Sequence, residues 1–227
     1  MNKYFDKIVC INLLERKDKY ESAKARFIKH NINVEFFHPV KYGFNQLIAS
    51  SLKQNPNYKG TLNTYQPNEL GCSFSHYHVI KQAYIEGVNN LFIFEDDALL
   101  HKDFNNLFNK YMSNIPSNWD SIMLYTYMAE LNNNNIMLSN NWMKAYNSWS
   151  TLAYGMTREF MEYYIELQDN YLSVSDMPSY IAQKENNIFI GKPLLCIPSS
   201  QESDIRIYKN YNNETTLTKY INKIDYE

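Results

Sequence analysis

The 227-residue chain predicts an α/β fold, and three observations carry that prediction. Short apolar runs at 7–13, 91–97, 120–125 and 151–156 read as buried strands. Stripes of apolar residues at helical spacing alternate with them. A hydrophobic fraction of 44%, with 15% aromatic residues, is enough to bury one good core, so a single domain over 1–227 is expected.

The first run, KIVCINL at 7–13, leads into Glu15-Arg16-Lys17-Asp18-Lys19 and then a helix on which Tyr20, Ala23, Phe27 and Ile28 recur near helical spacing. Ligands of open α/β sheets bind outside the carboxyl ends of the strands, which puts Asn12 and Arg16 where a base, ribose or phosphate can lie. Charge pairing on a solvated helix start accounts for Arg16 equally well. Residues 33–40 (NVEFFHPV) read as a second, shorter strand broken at Pro39. From 41 to 67 the chain is rich in Asn, Tyr and Lys and punctuated by Gly43, Pro56, Gly60 and Pro67, with a short helix at 44–52. A connection this long is expected to be a substrate-side loop that closes over its ligand.

A helix is expected over 68–86, capped by Asn68 and stopped by Gly87. Leu70, Phe74, Tyr77, Ile80 and Tyr84 share one broad arc, and Cys72, His76, Val79 and Ala83 continue it, so most of this helix is buried. His76 therefore faces inward and needs a partner, while His78 faces solvent. Positions i and i+2 diverge, so the two cannot hold one metal. Ser75 is not a nucleophile candidate on this pattern.

The run Leu91-Phe92-Ile93-Phe94-Glu95-Asp96-Asp97 organises the rest. Side chains on a strand alternate faces, which sends Glu95 and Asp97 to one side and Asp96 to the other. Like charges at the end of a buried strand repel one another. A divalent cation relieves this while binding the phosphates of a nucleotide, although a merely solvated acidic strand end gives the same pattern. After it, Phe104, Leu107, Phe108 and Tyr111 form a helical stripe, and DSIMLY at 120–125 gives another strand. The low-complexity tract at 132–135 cannot build a core. Trp142, Tyr146 and Trp149 follow it and are expected either to stack on sugar rings or to pack in the core. A strand at 151–156, a helix at 158–167, a Ser175-Asp176 cap leading into a helix at 177–185 with Pro178 near its start, and short strands at 187–190 and 193–197 complete the alternation.

Composition narrows the partners. A net charge of -2 and a pI near 6.2 argue against a nucleic-acid backbone. The three cysteines, Cys10, Cys72 and Cys196, are scattered and odd in number, which suits a reducing compartment. No apolar run is long enough to span a bilayer, and 1–20 is too charged for a secretory signal. A cytoplasmic protein is expected, association with the inner face of a membrane being compatible with it.

The order INLLERKDKY, ELGCSFSH, LFIFEDDA and then SDIR after PSSQES resembles glycosyltransferase family 25, the lipopolysaccharide-type and collagen-type galactosyl- and glucosyltransferases. The resemblance runs from Ile8 to about Ile205. It implies the GT-A-type glycosyltransferase fold, a mixed, mostly parallel sheet with a Rossmann-like nucleotide-binding half over about 1–127 and an acceptor-side half over about 128–227. It implies inverting transfer of galactose or glucose from a UDP-hexose to a hydroxyl of a glycan or glycoconjugate. Asn12, Leu13 and Arg16 match the motif whose strand end holds the nucleotide, and Lys19 stands where a second arginine is expected, with the charge but without the bidentate fork. Gly71, Cys72, Ser75 and His76 match the second motif and fall on the donor side. Glu95, Asp96 and Asp97 match the acidic motif that serves as the family's metal site, with Asp97 and Glu95 as ligands. Gln201, Ser203 and Asp204 resemble the late motif near the site.

The chemistry such a transfer needs can be stated from the residues. A cation held by Asp97 with Glu95 would stabilise charge on the departing diphosphate. A carboxylate and phosphate shell suits Mn²⁺ or Mg²⁺, and no zinc spacing is evident among the cysteines and histidines. Inversion also needs a base beside the acceptor hydroxyl. Asp176 is the candidate, with Asp120 and Asp204 as rivals. Two other readings are open: a sugar-phosphate nucleotidyltransferase, which would want a glycine-rich nucleotide loop that the first βα turn lacks, and a non-catalytic glycan-binding module on the same frame.

Overall fold

Strand β1 (Lys7–Ile11) and the strand that follows the second helix lie side by side in parallel, with Ile11 opposite Glu95, and that pairing sets the position of everything functional. The computed structural model describes residues 1–39, 67–126, 137–171, 173–199 and 225–227. The loop expected at 41–67 and the late motif at 201–204 fall almost wholly outside them.

The described helices are α1 (Lys17–Lys29), α2 (Pro67–Ile85), α3 (Phe104–Met112), α4 (Arg158–Tyr171) and α5 (Met177–Ala182). The strands after β1 are β2 (Glu35–Phe37), β3 (Asn90–Glu95), β4 (Ala98–Leu100), β5 (Ser121–Met123), β6 (Trp142–Lys144), β7 (Ala153–Thr157), β8 (Ile188–Gly191) and β9 (Cys196–Pro198). Seven of them form one sheet in the order β2-β1-β3-β7-β5-β8-β6. Five of the seven run one way, and β7 and β6 run against them. This is the mixed, mostly parallel α/β sheet expected. β4 and β9 pair separately and antiparallel.

β3 is a central strand, and Leu91, Phe92, Ile93 and Phe94 are all fully buried, as a strand covered on both faces requires. α1 carries Asp18 in its first turn and Lys29 in its last, the arrangement that suits the helix dipole. α2 ends where Gly87 takes φ 81°, with Gly87 N–H donating to Tyr84 O and Val88 N–H to Ala83 O. That pair of bonds satisfies two carbonyls the helix end leaves open, and the left-handed residue is why glycine stands there.

One expectation is corrected. β3 stops at Glu95, and Asp96 and Asp97 lie in a turn rather than in the strand. Of the two uses expected for Trp142, stacking on sugars or packing in the core, the structure shows the second: it is fully buried and donates its indole N–H to Tyr111 O at 2.8 Å. Two three-residue strands, β4 and β6, were not expected at all.

Candidate functional site

The carboxyl end of β3 presents three acids to different surroundings. Asp96 faces α1. Asn12, just past the parallel strand β1, donates from Nδ2 to Asp96 Oδ2 at 2.7 Å, and Lys19 Nζ lies 3.6 Å from Oδ1. Arg26 on the same face of α1 donates to the Asp96 backbone carbonyl at 2.6 Å and to Ser22 Oγ at 2.7 Å. Lys19 and Arg26 are both buried, so α1 turns a basic stripe toward an acidic strand end. Burying those cations is tolerable only because the acids are there.

Glu95 faces the other way, toward α2 and the segment before β7. Its Oε1 accepts from Thr151 Oγ1 at 2.7 Å and lies 3.4 Å from His76 Nε2. Burial alone would raise this carboxyl, but the adjoining His76, the Thr151 hydroxyl and the charge of Lys19 hold it below the ordinary carboxylate range. Asp97 is helped less, by the charge of Lys19 and a backbone N–H alone. Burial first, and then the charge of Glu95, push it up to about 7. Glu95 and Asp96 therefore have separate partners, Glu95 toward α2 and Asp96 toward α1.

Four polar atoms around this edge are buried without a hydrogen-bond partner: Asn12 Oδ1, Arg26 Nε, His76 Nε2 and Asp97 Oδ1. Each such atom costs on the order of 1–3 kcal/mol, and most proteins avoid the arrangement unless something binds.

His76 is fully buried, with Nδ1 2.9 Å from Tyr154 Oη, so it faces inward as its helix position requires. Cys72, one turn earlier, has Sγ 3.5 Å from Ser175 Oγ, and Ser175 Oγ lies 3.2 Å from Thr151 Oγ1. Burial pushes the Cys72 thiol well up, and the charges of Glu95 and Asp176 add to it. Asp176 begins α5 without donating or accepting a side-chain cap, and its charge also acts on Tyr154 and Tyr164. Asp176 thus lies on the Cys72 side of the acidic cluster.

Other candidates bond to groups other than the three acids, although the Arg16 carbonyl accepts from Asn12 Nδ2 at 3.3 Å. Ser75 Oγ bonds back to Gly71 O at 2.7 Å within α2. Leu13 is half-buried, and its carbonyl accepts from Arg16 N–H at 2.9 Å. Arg16 forks onto Asp18, at 3.0 and 2.8 Å, and holds that exposed carboxyl down to about 2. Asp120 precedes β5, which runs the same way as β3, so it stands at the opposite edge of the sheet, accepting from Asn187 N–H at 2.6 Å. That removes it as a rival base. Asp204 lies outside the described residues.

The sequence reading missed Arg26, Thr151 and Ser175, and found no metal spacing where the structure brings Cys72, His76 and Glu95 together. The i,i+4 Cys-His pair on one helix was the available signal.

A profile described as Glycosyltransferase family 25 (LPS biosynthesis protein) matches residues 5–179. Procollagen galactosyltransferase 2 of Homo sapiens is 23% identical over 247 residues, covering 95% of this chain and 40% of that protein, and its Mus musculus counterpart is 22% identical with the same coverage. Procollagen galactosyltransferase 1 of Danio rerio is 22% identical, over 95% of this chain and 41% of that protein. The chain therefore spans about two fifths of the length of these curated relatives. A solved structure of a glycosyltransferase involved in the glycosylation of the major capsid of PBCV-1 covers 82% of this chain and 92% of its own, at 9% identity and a TM-score of 0.38.

Proposed function

The chain belongs to glycosyltransferase family 25, and we propose that it transfers galactose or glucose from a UDP-hexose to a hydroxyl of a glycan or glycoconjugate, with inversion and with a divalent cation. The observation that carries this reading is the set of unpartnered polar atoms on Asn12, Arg26, His76 and Asp97 around one acidic strand end. The residues fit a hard cation, because Asp97 offers a buried oxygen without a partner and Glu95 adds a second carboxylate beside it. Asp97 with Glu95 would hold Mn²⁺ or Mg²⁺, which when bound offsets charge on the departing diphosphate.

The chain's own residues divide the remaining work. Residues of about 1–127 form the donor side: Asn12 and Leu13 line the nucleotide, Arg16 exchanges the exposed Asp18 for a phosphate, and Asp96 is held in place by Asn12, Lys19 and Arg26. Ser75 and His76 belong to this side through α2. Residues of about 128–227 form the acceptor side, where Asp176 takes the proton of the acceptor hydroxyl as its oxygen attacks the anomeric carbon opposite the breaking bond to diphosphate. The three cysteines form no disulfide, and among the described residues no helix is long and apolar enough to cross a membrane. A cytoplasmic site of action, at or near a membrane face, accords with both.

The test is a panel of UDP-glucose and UDP-galactose, with Mn²⁺ or with chelator, scored for UDP release. One donor should release UDP only with the metal, and Asp97→Ala should lower that rate by on the order of 100-fold or more. Equal release with chelator, or near-normal turnover in Asp97→Ala, would refute the cation's role. Pyrophosphate release from UTP and a sugar phosphate would favour the nucleotidyltransferase instead.

A further inference from the structure

Cys72 and His76 are one turn apart on α2 and leave the same face of the helix. Glu95 comes up to that face from β3, and the three ligand atoms, a thiol sulfur, an imidazole nitrogen and a carboxylate oxygen, all lie within 4.8 Å of one another. The 3.4 Å between His76 Nε2 and Glu95 Oε1 matches two corners of a tetrahedral zinc site, whose bonds of about 2.0–2.2 Å put N and O ligands roughly 3.3–3.6 Å apart.

A second observation points to a ligand. His76 is fully buried and its Nε2, aimed at this cluster, makes no hydrogen bond. Its Nδ1 is 2.9 Å from Tyr154 Oη. In the metal-bound form Nδ1–H donates to the tyrosine oxygen and the Nε2 lone pair faces the ion, which is how metal-binding histidines are oriented by their other nitrogen. Thr151 Oγ1 on Glu95 and Ser175 Oγ beside Cys72 Sγ supply the same support to the other two ligands.

We infer that Cys72, His76 and Glu95 form a binding site for a borderline-soft divalent transition metal, with Zn²⁺ the best match. Mn²⁺ and Mg²⁺ prefer all-oxygen shells, so the thiolate separates this site from the one assigned to Asp97. Three protein ligands leave the fourth position to water or to a ligand. As the metal–sulfur bond forms, the thiol proton passes to solvent. Glu95 is common to both sites, so zinc would compete with the donor's cation, a consequence that rests on the proposed transfer.

Co²⁺ added to the intact chain is the probe, with Zn²⁺ as competitor. One equivalent of Co²⁺ should bind with a near-ultraviolet thiolate-to-cobalt absorption, and Zn²⁺ should displace it. Cys72→Ser should abolish that absorption, and both it and His76→Gln should weaken Zn²⁺ binding about tenfold or more. Asp97→Asn should keep the absorption. No thiolate band in the unaltered chain, a band that survives Cys72→Ser, or one that is lost in Asp97→Asn would overturn the assignment. The readout needs no donor sugar, so failure here leaves the Asp97 reading untouched, and failure of UDP release leaves this site untouched.

Discussion

His76 shows how much one side chain can be asked to do, since Nδ1 meets the buried Tyr154 hydroxyl while Nε2 lies 3.4 Å from the Glu95 carboxylate. His76→Ala should destabilise the fold by about 1–3 kcal/mol, because it leaves the Tyr154 hydroxyl unpaired. It should also weaken donor use, because Glu95 loses the neighbour that most lowers its pKa. Urea midpoints together with the KM for the UDP-hexose check both, and neither changing would show that the ring serves neither purpose. Lys19 is the complementary case. Its ammonium is buried 3.6 Å from Asp96, so Lys19→Met should cost about 3 kcal/mol by removing a cation beside the buried carboxylate. The loss should be partly recovered in Lys19→Met with Asp96→Asn, and additive effects in that cycle would show the two do not interact. Glu95, Asp97 and His76 were legible in the sequence, because an acidic strand end and an inward helix position each have a local pattern. Arg26 was not, since a charged residue on an amphipathic helix is read as facing water, and only the tertiary approach of β3 turns it inward. Thr151 and Ser175 were read only as a strand start and a helix cap, and nothing local brings them to Glu95 and Cys72 until β7 and α5 are placed.

Strand β7 illustrates what local pattern leaves open at the level of elements. Residues 151–156 were legible as a strand, and the strand is there, yet nothing in an apolar run says that it slots antiparallel between β3 and β5. The three-residue strands β4 and β6 were invisible for a related reason, since three residues are too few to show a period. Helix α2 and the buried strands β1 and β3 were read to within two residues because many side chains vote for each, whereas α4 runs four residues past its expected end at 167. Packing then explains one residue that pattern cannot. At Gly155 a Cβ would lie 2.6 Å from Phe5 and 2.8 Å from Phe92, two core rings that are themselves in edge contact. Gly155→Ala should therefore force these rings to move, at about 1–3 kcal/mol, and lower the urea midpoint with no change in slope. An unchanged midpoint would mean that Phe5 repacks without cost.

The whole sheet is built across the candidate site, with β3 between β1 and β7 and the acids at its end, so a ligand bound there should be felt as global stability rather than as local stiffening. A ligand at a hundred times its Kd stabilises the folded state by about 2.7 kcal/mol. In a chain of this size each kcal/mol moves the melting temperature by about 2–4 °C, so saturating UDP with Mn²⁺ should raise Tm by roughly 5–11 °C. Asp97→Asn offers the control. Its Oδ1 has no partner to lose, and removing one charge relieves the repulsion that pushes this carboxyl up, so the variant without ligand should melt at the same temperature or higher. With UDP and Mn²⁺ it should lose the metal-dependent part of the rise while keeping whatever UDP gives alone. A full rise in Asp97→Asn would place the cation elsewhere. A rise absent from the unaltered chain as well, with every UDP-hexose tried, would remove the nucleotide from the site and leave the acidic strand end as a structural feature whose cations are Lys19 and Arg26.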